Sequence, residues 1–274
     1  MKIFVWILLF LLVINVIAAL ITVFRKPRSI SSVLAWMMTL IFLPGIGFII
    51  YLFCGRGIDG QEVFKLSDDE KQMVQRIKEK VDIDNKKAGR DKRYDLLYDA
   101  KVLNRYFRNM DASPLAKRNS LQLFTDGQEK FQALFEDIRA AKETVHVEYY
   151  AFFNDTIGNQ FLDVLIEKLH EGVEVYLIYD PWGSPGANKK FFARYVDAGG
   201  KVAPFITSRD MIRKTRLNYH LHRKIVVIDG KIGWTGGFNV GDQYLNVTEK
   251  FGYWRDTHIR LVGTAVFSLQ EIFI

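Results

Sequence analysis

HRKIVVIDGKIGWTGGFN, running from His222 to Asn239, is the stretch from which the rest of the chain is best read. Lys224 to Ile228 is apolar after its first residue, which predicts a buried strand. Asp229-Gly230 is a turn signal, and Lys231 to Thr235 returns as a second strand. Side chains two apart share one face of a strand, so His222 and Lys224 project together. An imidazole beside an ammonium suits a phosphodiester: one can attack phosphorus while the other holds its oxygens. Asp229 stands at the tip of the strand, and Gly236-Gly237 allows a backbone to come close to a ligand.

Upstream of this stretch the chain alternates between strands and helices. Leu121–Phe124, Thr144–Phe153, Val173–Tyr179 and Val202–Phe205 read as strands. Glu129–Ala141, Asn159–His170 and Lys189–Ala198 read as amphipathic helices, the first with Phe131, Leu134, Phe135 and Ile138 inward. Such alternation indicates an α/β fold with helices on both faces of a mixed sheet. Thr264–Ile274 reads as a closing helix. Before Leu121 the pattern is weaker. Ser67-Asp-Asp-Glu70 is a capping box ahead of a short helix with Met73, Val74, Ile77 and Val81 on one face. Asp82–Arg93 is a polar linker, and Tyr94–Phe107 a further helix.

The first 56 residues contain no acid. Ile3–Phe24 is a 22-residue run whose only polar members are Asn15 and Thr22, and Val33–Cys54 is a second run of 22, interrupted by Pro44, Gly45 and Gly47. About 20 apolar residues cross a bilayer core, so two transmembrane helices are expected. The first run is too long for the apolar core of a cleaved signal peptide, and a second follows at once. Arg25, Lys26 and Arg28 between the runs balance Arg56, Lys65 and Lys71 after them, so the positive-inside rule leaves the orientation open.

The formal net charge is +7, of which the first 56 residues supply +5. The remainder is near neutral, which argues for anchoring beside anionic lipid and against a nucleic-acid partner. The one cysteine, Cys54, permits no internal disulfide. No metal-ligand cluster is visible and no cofactor is expected.

His222, Lys224 and Asp229, followed by Gly236, Gly237 and Asn239, resemble the HxKxxxxD signature of the phospholipase D superfamily with its Gly-Gly-x-Asn element. Arg28 to Trp36, Phe53 to Arg56, Phe124 to Phe131 and Gly252 to Arg260 are similar to bacterial cardiolipin synthases, so the resemblance runs from end to end. It implies two N-terminal transmembrane helices and then one phospholipase D-like α/β/α sandwich half. The expected boundaries are an anchor at 1–56, a helical linker region at 57–115 and a catalytic half-domain at 116–274. It also implies transfer of a phosphatidyl group between two phosphatidylglycerol molecules, giving cardiolipin and glycerol through a phosphohistidine at His222. Lys224 would stabilise the phosphoryl oxygens and Asn239 would donate to them. Asp229 would orient an imidazole or balance the lysine charge, and both roles stay open. The implied place is the cell membrane, multi-pass, with the catalytic part cytoplasmic.

The family uses a second histidine, from a second copy of the motif, as general acid. His146, His170, His220 and His258 are not followed by lysine two residues on, so the second copy is missing here. The resemblance therefore implies a truncated enzyme, carrying the anchor and the first catalytic half. Two other readings stand beside it. One is a homodimer, each chain giving one motif, or pairing with a second catalytic half. The other is a catalytically inactive lipid-binding fragment. His220 is a candidate neighbour of His222. Glu148, Tyr149 and Tyr150 suit either a substrate-side strand or sheet packing. Arg209, Arg213, Lys214 and Arg216 suit either headgroup guidance or a solvated loop, and Trp254, Arg255 and Asp256 are expected to buttress the motif strands.

Overall fold

A computed structural model describes residues 29–43, 45–55, 118–206, 220–247 and 249–274, with scattered positions between 6 and 116. The chain divides into two compact units, Met1–Lys65 with Ile206–Tyr219, and Leu66–Phe205 with His220–Ile274.

In the first unit, α1 (Ile30–Phe42) is capped by Ser29, whose hydroxyl accepts from the Ser32 N–H at 3.3 Å. The second apolar run was expected as a span interrupted by Pro44, Gly45 and Gly47, and the helix is divided at that point. Gly45 adopts φ +81°, and the chain resumes as α2 (Ile46–Ile50) and a π-helical turn, Tyr51–Gly55. Gly47 lies against the Thr39 carbonyl and the Leu40 backbone, where a Cβ would clash. Trp36 and Tyr51 meet edge to face at 5.1 Å over buried Leu40. The two glycines thus let the run fold back on itself. Among the described residues, no helix is long and apolar enough to cross a membrane. The expected span Ile3–Phe24 lies largely outside those residues, as do the linker Asp82–Arg93 and the helix Tyr94–Phe107. The described positions from 68 to 79 are helical, in line with the capping box.

The second unit is built on a seven-stranded mixed sheet. Its strands are β1 (Ser120–Phe124), β2 (Thr144–Tyr149), β3 (Glu174–Tyr179), β4 (Lys201–Pro204), β5 (Lys224–Ile228), β6 (Ile232–Gly236) and β7 (His258–Val262). Their order is β1-β7-β6-β5-β2-β3-β4. β2, β3 and β4 run parallel, and the other pairings are antiparallel. The parallel strands are joined through helices, as parallel pairing requires. The helices are α3 (Gly127–Arg139), α4 (Thr156–His170), α5 (Lys189–Asp197) and α6 (Val266–Phe273). Asp126, Asp155 and Asn188 cap the first three by accepting from first-turn N–H groups.

β5 is central, which explains its unbroken apolar run: every one of its residues is buried. Val226 and Ile228 face a core with Phe131, Leu134 and Ile138 of α3, Phe161 and Leu165 of α4, and Phe191 and Phe192 of α5. Ile225 and Val227 face the other way, onto Val266 and Leu269 of α6. This is an α/β/α arrangement with three helices on one face and one on the other.

Most boundaries move by one to three residues, and two strands depart further from the sequence reading. β2 ends at Tyr149, not Phe153, because its neighbours change there. Tyr149 is the last residue paired with β5 and β3, and the chain beyond it turns to Val240, with the Phe153 N–H donating to the Val240 carbonyl at 2.9 Å. β7 was not anticipated as a strand. It is fixed by β6 and by Arg260, which forks onto Asp137 of α3 at 2.6 and 2.9 Å. Trp234 Nε1 donates to the same carboxylate at 2.8 Å, tying β6, β7 and α3 together.

Candidate active site

The site stands at one end of the sheet, where β2, β3 and β6 finish and β5 begins. His222 is exposed and Lys224 is buried. Lys224 Nζ lies 3.5 Å from His222 Nδ1 and 3.4 Å from the His222 carbonyl oxygen. The expected common projection is therefore the observed one. Tyr150, the first residue past β2, packs its ring 4.6 Å from the imidazole, with the ammonium 5.4 Å from the same ring. Burial pulls the Lys224 pKa down, and the Asp256 carboxylate opposes that shift. The result is a positive group largely withdrawn from water, where its field at an adjacent anion is strongest.

Asp229 is not part of this group. It lies at the far end of β5, about 17 Å along the strand from Lys224. Its carboxylate accepts from the backbone N–H groups of Lys142, Glu143 and Thr144 at 2.9, 2.8 and 2.9 Å. Burial alone would raise its pKa, but those three bonds and Lys231 outweigh it and hold the carboxyl below its usual value. The expected roles of orienting an imidazole or balancing Lys224 are thus replaced by a structural one, locking the entry of β2 to the tip of β5. Asp229→Ala should lower stability by about 2–4 kcal/mol, as three charge-assisted bonds are lost, without changing the chemistry at His222. Denaturant melts check the loss. Its share of stability is present above the ordinary aspartate pKa and is lost as pH falls through the depressed one.

The glycine pair makes room for protein. Gly236 has φ +154°, and a Cβ there would meet Thr257 and His258; one on Gly237 would meet the Asp256 carboxylate. Asn239 is buried and largely engaged. Its Oδ1 accepts from the Ala151 N–H at 3.1 Å, and its Nδ2 donates to Tyr244 Oη at 2.9 Å. One Nδ2 proton remains for a ligand.

Several groups at the site carry no motif signal. Asp180, just past β3, is buried and accepts from the N–H groups of Leu221, Trp182 and Gly183. Asp256 borders Gly237. His258 is fully buried, and among the described residues neither ring nitrogen has a partner. Burial, then Lys130 and Lys224, hold its pKa well below the usual value. Lys130 is also buried and donates to Tyr149 Oη at 2.9 Å, with its pKa pulled well down by burial. The adjacent tyrosines are thus split between the core and the site. The end of the β2 pairing at Tyr149 is the only signal for that split, and it depends on neighbours distant in sequence.

Comparison with known proteins agrees with the motif. Residues 134–251 match the family described as "Cardiolipin synthase, PLD-like domain", and residues 13–56 match "Phospholipase_D-nuclease N-terminal". Cardiolipin synthase of Listeria monocytogenes is 41% identical over 98% of this chain and 56% of its own length. Major cardiolipin synthase ClsA of Bacillus subtilis is 40% identical over 96% of this chain and 54% of its own. The chain therefore spans little more than half the length of these relatives. Among solved structures, NucT from Helicobacter pylori aligns with 57% of this chain and 94% of its own, at 18% identity and a TM-score of 0.44. With a paired histidine and lysine at the open end of the central strand, residues 134–251 carry a phospholipase D-like domain of the cardiolipin synthase type, and the chain is similar to cardiolipin synthases over nearly all of its own length.

Proposed function

We propose that this chain carries the nucleophile-bearing half of a phosphatidyltransferase that joins two phosphatidylglycerol molecules into cardiolipin and releases glycerol. One geometry carries the reading: an exposed imidazole at a strand end with a buried ammonium 3.5 Å from its ring nitrogen. In this reading His222 attacks phosphorus and holds the phosphatidyl group covalently, dividing one displacement into two. Lys224 is fixed before the substrate arrives, so its charge stabilises the equatorial oxygens without reorganisation. The spare Asn239 proton serves the same oxygens. Gly236 and Gly237 admit the segment carrying Asp256 and His258, and Asp229 supports the site from the far end of β5.

In this reading the anchor is 1–56, the helical connection 57–115 and the catalytic half 116–274. In this reading the acid-free start of the chain anchors it in the cell membrane as a multi-pass segment, and the resemblance to cardiolipin synthases is what suggests the cytoplasmic side for the catalytic half. Anionic phospholipid is then both substrate and surroundings. A second catalytic half, or a second copy of this chain, is the protein partner this reading favours, and nucleic acid is not a partner.

The test is cardiolipin formation by the 274-residue protein reconstituted in phosphatidylglycerol vesicles. Cardiolipin and glycerol should appear in equal amounts. Phosphatidic acid as the main product would show that water is the acceptor and would make the chain a hydrolase. Because the charge at phosphorus comes from Lys224, a chelator should leave the rate unchanged within about twofold. Loss of turnover restored by a divalent ion would contradict that assignment.

A further inference from the structure

The end of the sheet that bears His222 differs from the opposite end in what it shows to solvent. Among the described residues from 118 on, the exposed tryptophan, phenylalanine and tyrosine side chains are Trp182, Phe251 and Tyr253, and all three stand at this end. Trp182 follows β3. Its N–H donates to Asp180 Oδ1 at 2.8 Å, and its ring packs edge-on to His220 at 5.9 Å. His220 Nδ1 lies 3.5 Å from Asp180 Oδ2. Phe251 and Tyr253 lie on the chain that leads into β7. Asn246 closes that loop at its root, accepting from the Trp254 N–H and donating to the Trp254 carbonyl. The Trp254 ring packs at 5.0 Å on Tyr244, whose hydroxyl accepts from Asn239. In sheet order β5 lies between β3 and the β6–β7 pair, so the aromatics flank His222 on both sides.

The charges at this end point the same way. Lys189, Lys190, Lys250 and Arg255 are exposed here, and no carboxylate among the described residues pairs with them. At the opposite end the bases are matched. Lys231 lies 3.9 Å from Glu143, and Lys201 donates to Tyr176, whose hydroxyl donates to Glu174. Exposed aromatics interspersed with unpaired bases are the composition of a surface seated among lipid headgroups. A protein interface is instead depleted of lysine.

We propose that Trp182, Phe251 and Tyr253, with the bases around them, form a docking surface for an anionic phospholipid bilayer. The proposal rests on the phosphatidyl-transfer reading for its lipid substrate. The phosphodiester of a bilayer lipid lies at headgroup level, so an exposed imidazole reaches its phosphorus only when the end of the sheet that carries it faces the membrane. Tryptophan and tyrosine suit that layer because an apolar ring ends in a polar tip. Lysine and arginine meet the anionic headgroups. The loop is tied through Trp254 and Tyr244 to Asn239, so docking also fixes the height of the site above the bilayer.

The test measures depth in the full chain, reconstituted in vesicles of phosphatidylglycerol and phosphatidylcholine. On a Cys54→Ser background, single nitroxide labels are attached through Phe251→Cys, Tyr253→Cys and, at the opposite end of the sheet, Asp197→Cys. The ratio of collisions with oxygen to collisions with a water-soluble nickel chelate should be at least about threefold higher for the first two labels than for the third. Equal, water-like ratios at all three would overturn the proposal. So would labels shielded from both reagents, which would show that protein covers this surface. A second arm reads turnover. Phe251→Ser combined with Tyr253→Ser should slow cardiolipin formation in vesicles by about tenfold or more, and leave turnover of a short-chain, monomeric phosphatidylglycerol within about twofold. Equal loss on both substrates would overturn the proposal, since the two residues would then serve the site itself. The depth arm needs no turnover. Labels seated in lipid on a wild-type chain that transfers nothing would sink the transferase reading and uphold the docking surface.

Discussion

Replacing His222 by Ala should lower phosphatidyl transfer by about a thousandfold or more while leaving the fold intact. The size follows from its role: without the imidazole there is no covalent intermediate, and groups acting as one unit lose nearly everything when one is removed. The fold should survive because His222 is exposed, and the strand it precedes is held by Ile225 to Ile228 on both faces. Lys224→Met should be nearly as damaging to turnover. Its stability should hold or rise, since a buried ammonium whose pKa is pulled down by burial is replaced by an apolar chain of similar length. Initial rates, with denaturant melts of the same preparations, separate the two effects. A His222→Ala protein keeping more than about a tenth of the rate would remove the nucleophile assignment.

A second large effect is expected at Glu148, on the α6 face of β2. Its side chain is buried, Oε2 has no partner among the described residues, and Arg223 reaches Oε1 only at 3.6 Å. Burial pushes the carboxyl from 4.5 up to about 7, with Arg223 opposing. The folded state therefore holds this proton more tightly than the unfolded chain does. The stability it brings is fully present below pH 4.5 and is lost as pH rises through 7. A rise of that size corresponds to about 3 kcal/mol. The stability of Glu148→Gln relative to wild type should thus increase by about 3 kcal/mol between pH 4.5 and pH 8. Asp229 and His258 change stability in the opposite sense with pH, but both proteins share them and the difference cancels. Denaturant melts at the two pH values check it, and a difference that stays flat would show that Glu148 ionises normally. Arg223 adjoins both His222 and Lys224 in sequence and also donates to the Ile272 carbonyl at 3.2 Å, so the same variant reads how firmly α6 is tied to the motif.

What could be read in the sequence was whatever depends on local periodicity. Alternation along His222-Arg223-Lys224 put the imidazole and ammonium on one side, and helical spacing put Phe131, Leu134, Phe135 and Ile138 in the core. What could not be read depends on partners far along the chain. Asp229 looks catalytic in a linear motif, yet its work is set by the Lys142–Thr144 backbone, more than 80 residues away. Gly236 and Gly237 look like ligand cradles until residues 256–258 are seen to fill the space. Tyr149 and Tyr150 diverge because the β2 pairing ends between them. The Asp180 carboxylate, after an ordinary strand, gains meaning only from the arrival of Leu221 and His220. In the acid-free start, the interruption at Pro44, Gly45 and Gly47 was legible, but not that Tyr51 would return to meet Trp36 over buried Leu40.

The most direct test of the central claim is mass analysis of the protein quenched during turnover with phosphatidylglycerol, followed by peptide mapping. The account predicts a phosphatidyl adduct on the peptide containing His222, acid-labile as a phosphorus–nitrogen bond should be, and absent from His222→Ala. Turnover with no adduct, or with the adduct on any other residue, would contradict it.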